Sequence, residues 1–373
     1  MLNCLYHLSS RERDSMSDIT KIIIAGRNIS GFGGMETVFS TFSRLLTESG
    51  KNYQISFVFF NELNNSVDDT WLGNNPFTRF SSSLKNGKLK RVYFACKFAS
   101  VIKKINPDYV IAFDSVGCYI SRLALRFAFK KIPLFSWNHF SVTGSYKAKY
   151  IRLADKHLSI SSGIATQLSG MGINPADIYT IYNPVPEQFK TITCGNTINF
   201  LYAGRLMCGG QKNLKELFSA LSGVHGDWKL HIVGSGDDSE IKTLTSLAHD
   251  LKIDDKIIWH GWQSNLWNYI EKEIKNVSAL LLTSTYEGLP MVLCEANSYG
   301  IYTVSSDCPT GPADIIRPYV NGELYPAGDN KKLTVILNKI VSGETKINHS
   351  VIKNCISRFY EDEYLARVSD IFK

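Results

Sequence analysis

Short, β-rich and mostly apolar runs recur along this chain, each followed by a stretch of helical character, and this alternation restricts the possible folds more than any other feature. In the first half the runs are Lys21–Ala25, Ile55–Phe60, Tyr109–Phe113, Pro133–Trp137, His157–Ile160 and Ile178–Tyr182. In the second they are Asn199–Ala203, Lys229–Val233, Lys256–His260, Ala279–Leu282 and Tyr302–Ser305. Continuous apolar runs belong to strands buried on both faces, hence to parallel sheets covered by helices. Between the two series lie Asn183-Pro184-Val185-Pro186 and the polar, irregular Gln188–Asn196, which read as a boundary and linker. A chain of 373 residues also exceeds one ordinary small core. The sequence therefore predicts an α/β protein with two doubly wound, Rossmann-like domains, residues 18–185 and 186–350. Such sheets take ligands at the carboxyl ends of their strands, here in a cleft that the two domains face.

Composition narrows the class. Apolar residues make up 44% and charged residues 20%, as in soluble globular proteins. No apolar run reaches the ~18–20 residues that span a bilayer. Met1 to Ser17 has no long apolar segment and reads as a poor signal peptide; a second methionine, Met16, precedes the first strand. The first fifteen residues are expected to be a disordered extension or to follow an upstream start. The eight cysteines are scattered without a C-x-x-C pair, which predicts free thiols rather than a disulfide frame or a zinc site.

Charge is uneven. Residues 1–185 hold 22 Lys and Arg against 12 Asp and Glu, and the remainder holds 19 against 22, giving +10 and −3, which sum to +7. The densest part, 79–107, carries Arg79, Lys85, Lys88, Lys90, Arg91, Lys97, Lys103 and Lys104 with no acidic residue. Phe80, Leu84, Leu89, Val92, Tyr93, Phe94 and Phe98 interleave with them. A basic, aromatic-rich amphipathic segment suits an anionic membrane surface or a polyanion better than a merely solvated face. Charge alone would admit nucleic acid, but no nucleic-acid motif accompanies it.

The richest motif is Thr283-Ser284-Thr285-Tyr286-Glu287-Gly288-Leu289-Pro290-Met291-Val292-Leu293-Cys294-Glu295-Ala296. It reads as a strand end, a Gly/Pro turn and a helix start, with Pro290 in the first helical turn. The amides of Gly288, Leu289 and Met291 would face a bound anion. Carboxylates on either side, Glu287 and Glu295, do not bind phosphate; they accept hydrogen bonds from hydroxyls. A phosphate centre with hydroxyls at both ends describes a nucleotide-sugar.

This run resembles the Glu-x7-Glu signature of the retaining GT-B glycosyltransferases of family 4. The resemblance implies that Glu287 holds hydroxyls of the donor sugar and Glu295 the ribose. It implies a GT-B fold, with a final helix, 351–373, returning to the first domain. Gly33 and Gly34, in Ser30-Gly31-Phe32-Gly33-Gly34-Met35-Glu36, match the first-domain loop that faces donor phosphates and acceptor. Glycine there permits close approach of a ligand, and the following helix offers its amides. His139, in Ser136-Trp137-Asn138-His139-Phe140, falls just past a strand's carboxyl end. By resemblance it lies near the reacting centre, positioning a sugar hydroxyl and helping to stabilise charge rather than acting as a general base.

Arg205 and Lys212 follow the strand Asn199–Ala203, and two fixed cations can neutralise a leaving diphosphate. The family's Arg–Lys gap is usually shorter; Cys208-Gly209-Gly210-Gln211 lengthens it here. Val233-Gly234-Ser235-Gly236 resembles the Gly turn of the family's second domain, and Gly261-Trp262 would meet the base. Asp68-Asp69, Asp237-Asp238 and Asp254-Asp255 lack the spacing and strand context of a D-x-D metal motif, so no metal and no cofactor are predicted.

Further stretches resemble a bacterial subgroup of the family that acts on the lipopolysaccharide core. These are Gly210-Gln211-Lys212 and Ser306-Asp307-Cys308-Pro309-Thr310-Gly311-Pro312-Ala313-Asp314-Ile315-Ile316, beside those around Gly33 and His139. The implied activity is transfer of galactose from UDP-galactose to a core glucose in α-1,6 linkage. The implied place is the bacterial cytoplasm, peripheral on the cytoplasmic face of the inner membrane. Transfer of glucose or N-acetylglucosamine, a nucleotide-sugar epimerase on the same fold, and a non-catalytic polyanion binder remain as alternatives.

Overall fold

The computed structural model describes residues 19–29, 34–62 and 67–372. Gly33 and the first fifteen residues lie outside the described residues. The described strands are β1 (Thr20–Arg27), β2 (Tyr53–Asn61), β3 (Phe77–Ser81), β4 (Tyr109–Ala112), β5 (Leu134–Asn138), β6 (Lys156–Ser159), β7 (Ile178–Thr180), β8 (Ile198–Ala203), β9 (Trp228–Val233), β10 (Ile257–Gly261), β11 (Ala279–Leu282), β12 (Thr303–Ser306) and β13 (Gly322–Tyr325). They form two sheets, ordered β3-β2-β1-β4-β5-β6-β7 and β10-β9-β8-β11-β12-β13. The registered pairs are parallel, for example Ile22↔Ile55 in the first sheet and Phe200↔Leu230 in the second. In both sheets the chain starts in the middle, runs to one edge, returns and runs to the other, which is the doubly wound order. The fold class expected from the sequence is the one observed.

Each sheet buries the apolar runs that announced it. Ile23, Ala25, Val58, Phe60, Val110 and Ala112 pack against Phe94, Phe98 and Ile102 of the helix Gly87–Ile105. In the second sheet Phe200, Leu230, Ile232, Leu281 and Val304 pack against Leu217, Phe218, Leu244 and Leu337. Two strands had no clear signal in the sequence. β3 and β13 are edge strands with half-buried polar residues, so neither reads as a continuous apolar run.

The sheets change over between Thr180 and Ile198, around Asn183-Pro184-Val185-Pro186. The chain divides into two compact units. One holds residues to Ser136 with Lys149–Lys156 and Phe372; the other holds Trp137–Ala148 and His157–Ile371. Residues 157–185 belong with the second because they are tied to its late segments. The Ser162 amide donates to Asp314 at 3.0 Å, and Val185 bridges Tyr360. In the first unit the Phe372 ring meets Phe42, Tyr109 and Phe135, and its carbonyl accepts from the Tyr53 hydroxyl at 3.1 Å.

The basic segment 79–107 is not one amphipathic helix. Its start is β3, and the helix runs from Gly87 to Ile105, capped by the Asn86 side chain. Counter-charges also reach it from outside. Arg79 makes a two-pronged ion pair with Asp69 at 2.5 and 2.6 Å, and Arg91 pairs with Glu62 at 3.0 Å. The lysines at 85, 88, 97, 103 and 104 remain exposed.

Candidate active site

The end of β11 and the segment after β8 are sewn together by backbone acceptors. The Thr283 hydroxyl donates to the Lys212 and Asn213 carbonyls at 3.0 and 3.1 Å. The Thr285 amide donates to the Gln211 carbonyl at 2.8 Å, and its hydroxyl to Gly210 at 3.0 Å. With the backbones so aligned, Lys212 Nζ donates to Glu287 Oε1 at 2.6 Å. Both side chains are largely buried, at 15% and 9% exposure, so water screens the pair little.

The long Arg–Lys gap has a structural use. It places Gln211 so that its Oε1 accepts from Arg205 at 2.7 Å while its Nε2 donates to the Tyr286 carbonyl at 3.2 Å. Gln211 thus joins the guanidinium to the Glu287 turn. The sequence reading noted the insertion but gave Gln211 no role, because the Tyr286 carbonyl that it also holds lies 75 residues along the chain.

Three strand ends meet beside this cluster. The Gly204 amide donates to Val233, Leu206 to Ser235, and Gly234 to Gly261. The approach is so close that a Cβ on Gly234 would sit 1.8 Å from the Gly204 carbonyl oxygen. At these carboxyl ends lies a pocket of about 330 Å³ whose walls include Gly204, Arg205, Gly234, Trp262, Leu266 and Glu295. Its size and mixed lining suit a small polar ligand.

Glu295 enters the pocket from the helix Met291–Ser298, and its Oε2 accepts the indole N–H of Trp267 at 2.9 Å. Burial raises its pKa, and the Trp267 bond acts in the opposite direction. Pro290 is the residue before this helix rather than its first member. The turn ahead of it is packed from below. A Cβ on Gly288 would lie 2.2 Å from the His139 carbonyl oxygen, and one on Gly311, with φ 97°, would lie 2.6 Å from Pro290 Cδ. The Thr310 hydroxyl donates to the Glu287 carbonyl, and Ser306 Oγ to the Ser284 carbonyl at 2.5 Å. The segment 306–311 therefore braces the Glu287 turn, a role the sequence reading did not assign to Thr310.

His139 follows β5 and is buried, with its ring centroid 4.7 Å from that of Trp137. Burial pushes its pKa down to about 3, so it is neutral at ordinary pH. A neutral ring takes part through its hydrogen bonds.

The predicted residues thus gather as follows. Arg205 and Glu295 line one pocket; Lys212 and Glu287 are ion-paired; Gly288 is packed on the His139 backbone. Leu289 is buried and Met291 opens its helix. Gly34 opens the helix Gly34–Glu48 of the first unit, with open space where a Cβ would project.

Two Rossmann-like sheets, the second with a polar pocket at its strand ends, place the protein in the GT-B class of glycosyltransferases. The chain belongs to the glycosyltransferases: residues 187–358 match the family model for glycosyl transferases group 1, and residues 32–189 match that for glycosyltransferase family 4. It is 40% identical over 353 residues to the lipopolysaccharide 1,6-galactosyltransferase of Salmonella typhimurium, covering 92% of this chain and 96% of that one. Among solved structures it resembles the apo form of the lipopolysaccharide outer core galactosyltransferase WaaB. The TM-score there is 0.88 at 39% identity, over 94% of this chain and 98% of the other. The Anabaena protein HepE in complex with UDP shares the fold, with a TM-score of 0.77 at 17% identity over 94% and 99% of the two chains.

Proposed function

We propose that this glycosyltransferase moves galactose from UDP-galactose to a glucose of the lipopolysaccharide core, in α-1,6 linkage and with retention at the anomeric carbon. The observation that carries the reading is the pairing of Lys212 with Glu287 beside a pocket lined by Arg205 and Glu295. In this reading UDP occupies the pocket with its ribose hydroxyls on Glu295. Arg205, Lys212 and the first amides of the helix Met291–Ser298 neutralise the diphosphate. Glu287 orients the galactosyl hydroxyls, and neutral His139 adds a hydrogen bond.

As the bond from the anomeric carbon to the diphosphate breaks, the sugar takes on oxocarbenium character. The acceptor hydroxyl forms the new bond on the same face, and its proton passes to the departing phosphate. The two cations then face more negative charge than in the bound donor, so they favour the transition state over the ground state. The reading invokes no metal and no cofactor.

A lipid-linked, phosphorylated acceptor suits the first unit's basic surface. The helix Gly87–Ile105 exposes Leu89, Val92 and Tyr93, flanked by the lysines at 85, 88, 97 and 104. No helix among the described residues is long and apolar enough to cross a membrane. We assign this face to the anionic cytoplasmic surface of the inner membrane as a peripheral contact.

The deciding experiment is UDP release from UDP-galactose, UDP-glucose and UDP-N-acetylglucosamine, each with and without galactose-free core lipopolysaccharide. Acceptor-dependent release from UDP-galactose alone is expected. Acceptor-dependent release from another donor would discard galactose, and conversion of free UDP-sugar without acceptor would favour an epimerase.

A further inference from the structure

Trp267 has no counterpart in the motifs that mark the site, yet it holds one of the two carboxylates. Its N–H reaches Glu295 Oε2 at 2.9 Å, and its ring stacks on Tyr299 at 4.9 Å with an interplanar angle of 21°. One carboxylate oxygen is thereby occupied by protein, while Glu295 still lines the pocket. A carboxylate fixed at one oxygen presents the other in a single direction, which a hydroxyl pair on a ring requires.

The element carrying Trp267 is itself tethered. It is the short helix Leu266–Tyr269, continued by a π-helical turn Ile270–Ile274. Tyr269 OH lies 2.9 Å from His260 Nδ1, His260 Nε2 lies 2.9 Å from His231 Nδ1, and His231 Nε2 lies 3.3 Å from Asn199 Oδ1. The Asn199 end orders the protons. Its Nδ2 donates to the Asn276 carbonyl at 3.2 Å, so its Oδ1 is the acceptor and His231 carries its proton on Nε2. His231 Nδ1 then accepts from His260 Nε2, and His260 Nδ1 accepts from the tyrosine hydroxyl. Every nitrogen has one role, provided both rings are neutral. Burial depresses both pKa values, His231 to about 4, in keeping with that state. The chain runs from β8 through β9 and β10 to the helix that carries Trp267.

We propose that Trp267 is a positioning residue for the nucleotide ribose: anchored through Tyr269, His260, His231 and Asn199, it holds the Glu295 carboxylate so that its second oxygen meets the ribose hydroxyls. The proposal rests on the assignment of UDP to this pocket. It predicts a defect confined to ligands that have those hydroxyls.

The test is calorimetric titration of the full chain with UDP and with 2′,3′-dideoxy-UDP, which lacks both. The variant Trp267→Phe keeps an aromatic ring for Tyr299 and removes the N–H along with part of the indole's volume, a packing loss that would weaken both ligands alike. It should lower UDP affinity about tenfold, the order expected for a hydrogen bond to a charged group. Its affinity for dideoxy-UDP should equal that of the unaltered protein. Tyr269→Phe, which breaks the chain outside the pocket, should shift the two ligands in the same unequal way but less. Equal weakening toward both ligands, or no loss toward UDP, overturns the proposal alone. If the unaltered protein binds both ligands equally, or binds no UDP, the placement of UDP on Glu295 falls as well.

Discussion

Lys212 Nζ lies 2.6 Å from Glu287 Oε1, although 75 residues separate them in the chain. The pair is inaccessible enough that neither charge is well hydrated alone. Removing one partner strands the other, which costs about 3–5 kcal/mol in comparable buried pairs. Glu287→Gln is therefore expected to lower both thermal stability and turnover, the latter by ~10²-fold if the carboxylate orients the reacting sugar. The double variant Lys212→Met with Glu287→Gln should regain much of the stability and none of the activity. Recovery of activity along with the melting temperature would show that the pair is only structural.

Thr310 offers a milder perturbation of the same turn. Its hydroxyl donates to the Glu287 carbonyl. Thr310→Val retains the shape and loses that bond, so kcat should fall about fivefold, as befits a single neutral hydrogen bond. KM for the donor should barely move, and Thr310→Ser should restore kcat. A valine variant with full kcat would remove the brace from the account.

Gly288→Ala tests the packing beneath the turn. The added Cβ would sit 2.2 Å from the His139 carbonyl oxygen, a backbone atom that cannot swing away. Overpacking of this kind costs about 1–3 kcal/mol, and activity should be lost with it. Gly170→Ala, where a Cβ meets nothing within 4 Å, is the control. Equal melting temperatures for the two variants would mean that the turn is looser than the geometry indicates.

Acid should destabilise the protein through its buried histidines. His231 and His139 have pKa values lowered to about 4 and about 3, whereas the unfolded chain protonates them near the ordinary histidine value of 6.5. Between those limits the unfolded state binds more protons, so stability falls as pH falls and rises as pH rises. Each contributes at most about 1.4 kcal/mol per pH unit, and nothing above the unfolded pKa. Melting temperatures from pH 7 to 4.5 should decline more steeply in the unaltered protein than in His231→Asn. Parallel curves would contradict the buried, neutral assignment.

Binding to vesicles should be electrostatic and local. Flotation with anionic liposomes should weaken with added salt, because exposed lysines are screened over about 10 Å at 0.1 M. Replacing Lys85, Lys88 and Lys97 by Gln should weaken it further. Arg91→Gln should matter less, since that guanidinium already pairs with Glu62. Binding indifferent to salt and to these lysines would move the membrane contact elsewhere.

The sequence by itself determined the strand-helix alternation, the two sheets and the carboxylates at Glu287 and Glu295, because each is written in residues close together in the chain. An apolar run buried on both faces needs no distant information to be recognised. Tertiary structure decided the rest. β3 and β13 sit at sheet edges, where half-exposed polar residues suffice and leave little periodic signal. The basic run 79–107 lost two arginines to Glu62 and Asp69, which lie outside it. Gln211, Thr310 and Trp267 have partners 75, 23 and 28 residues away, and no local pattern announces a hydrogen bond across such a span. Folding brings those groups within bonding distance only after the sheets have set their strand ends side by side. The choice of residues that hold the site therefore belongs to the packed structure, while the choice of fold belongs to the local pattern.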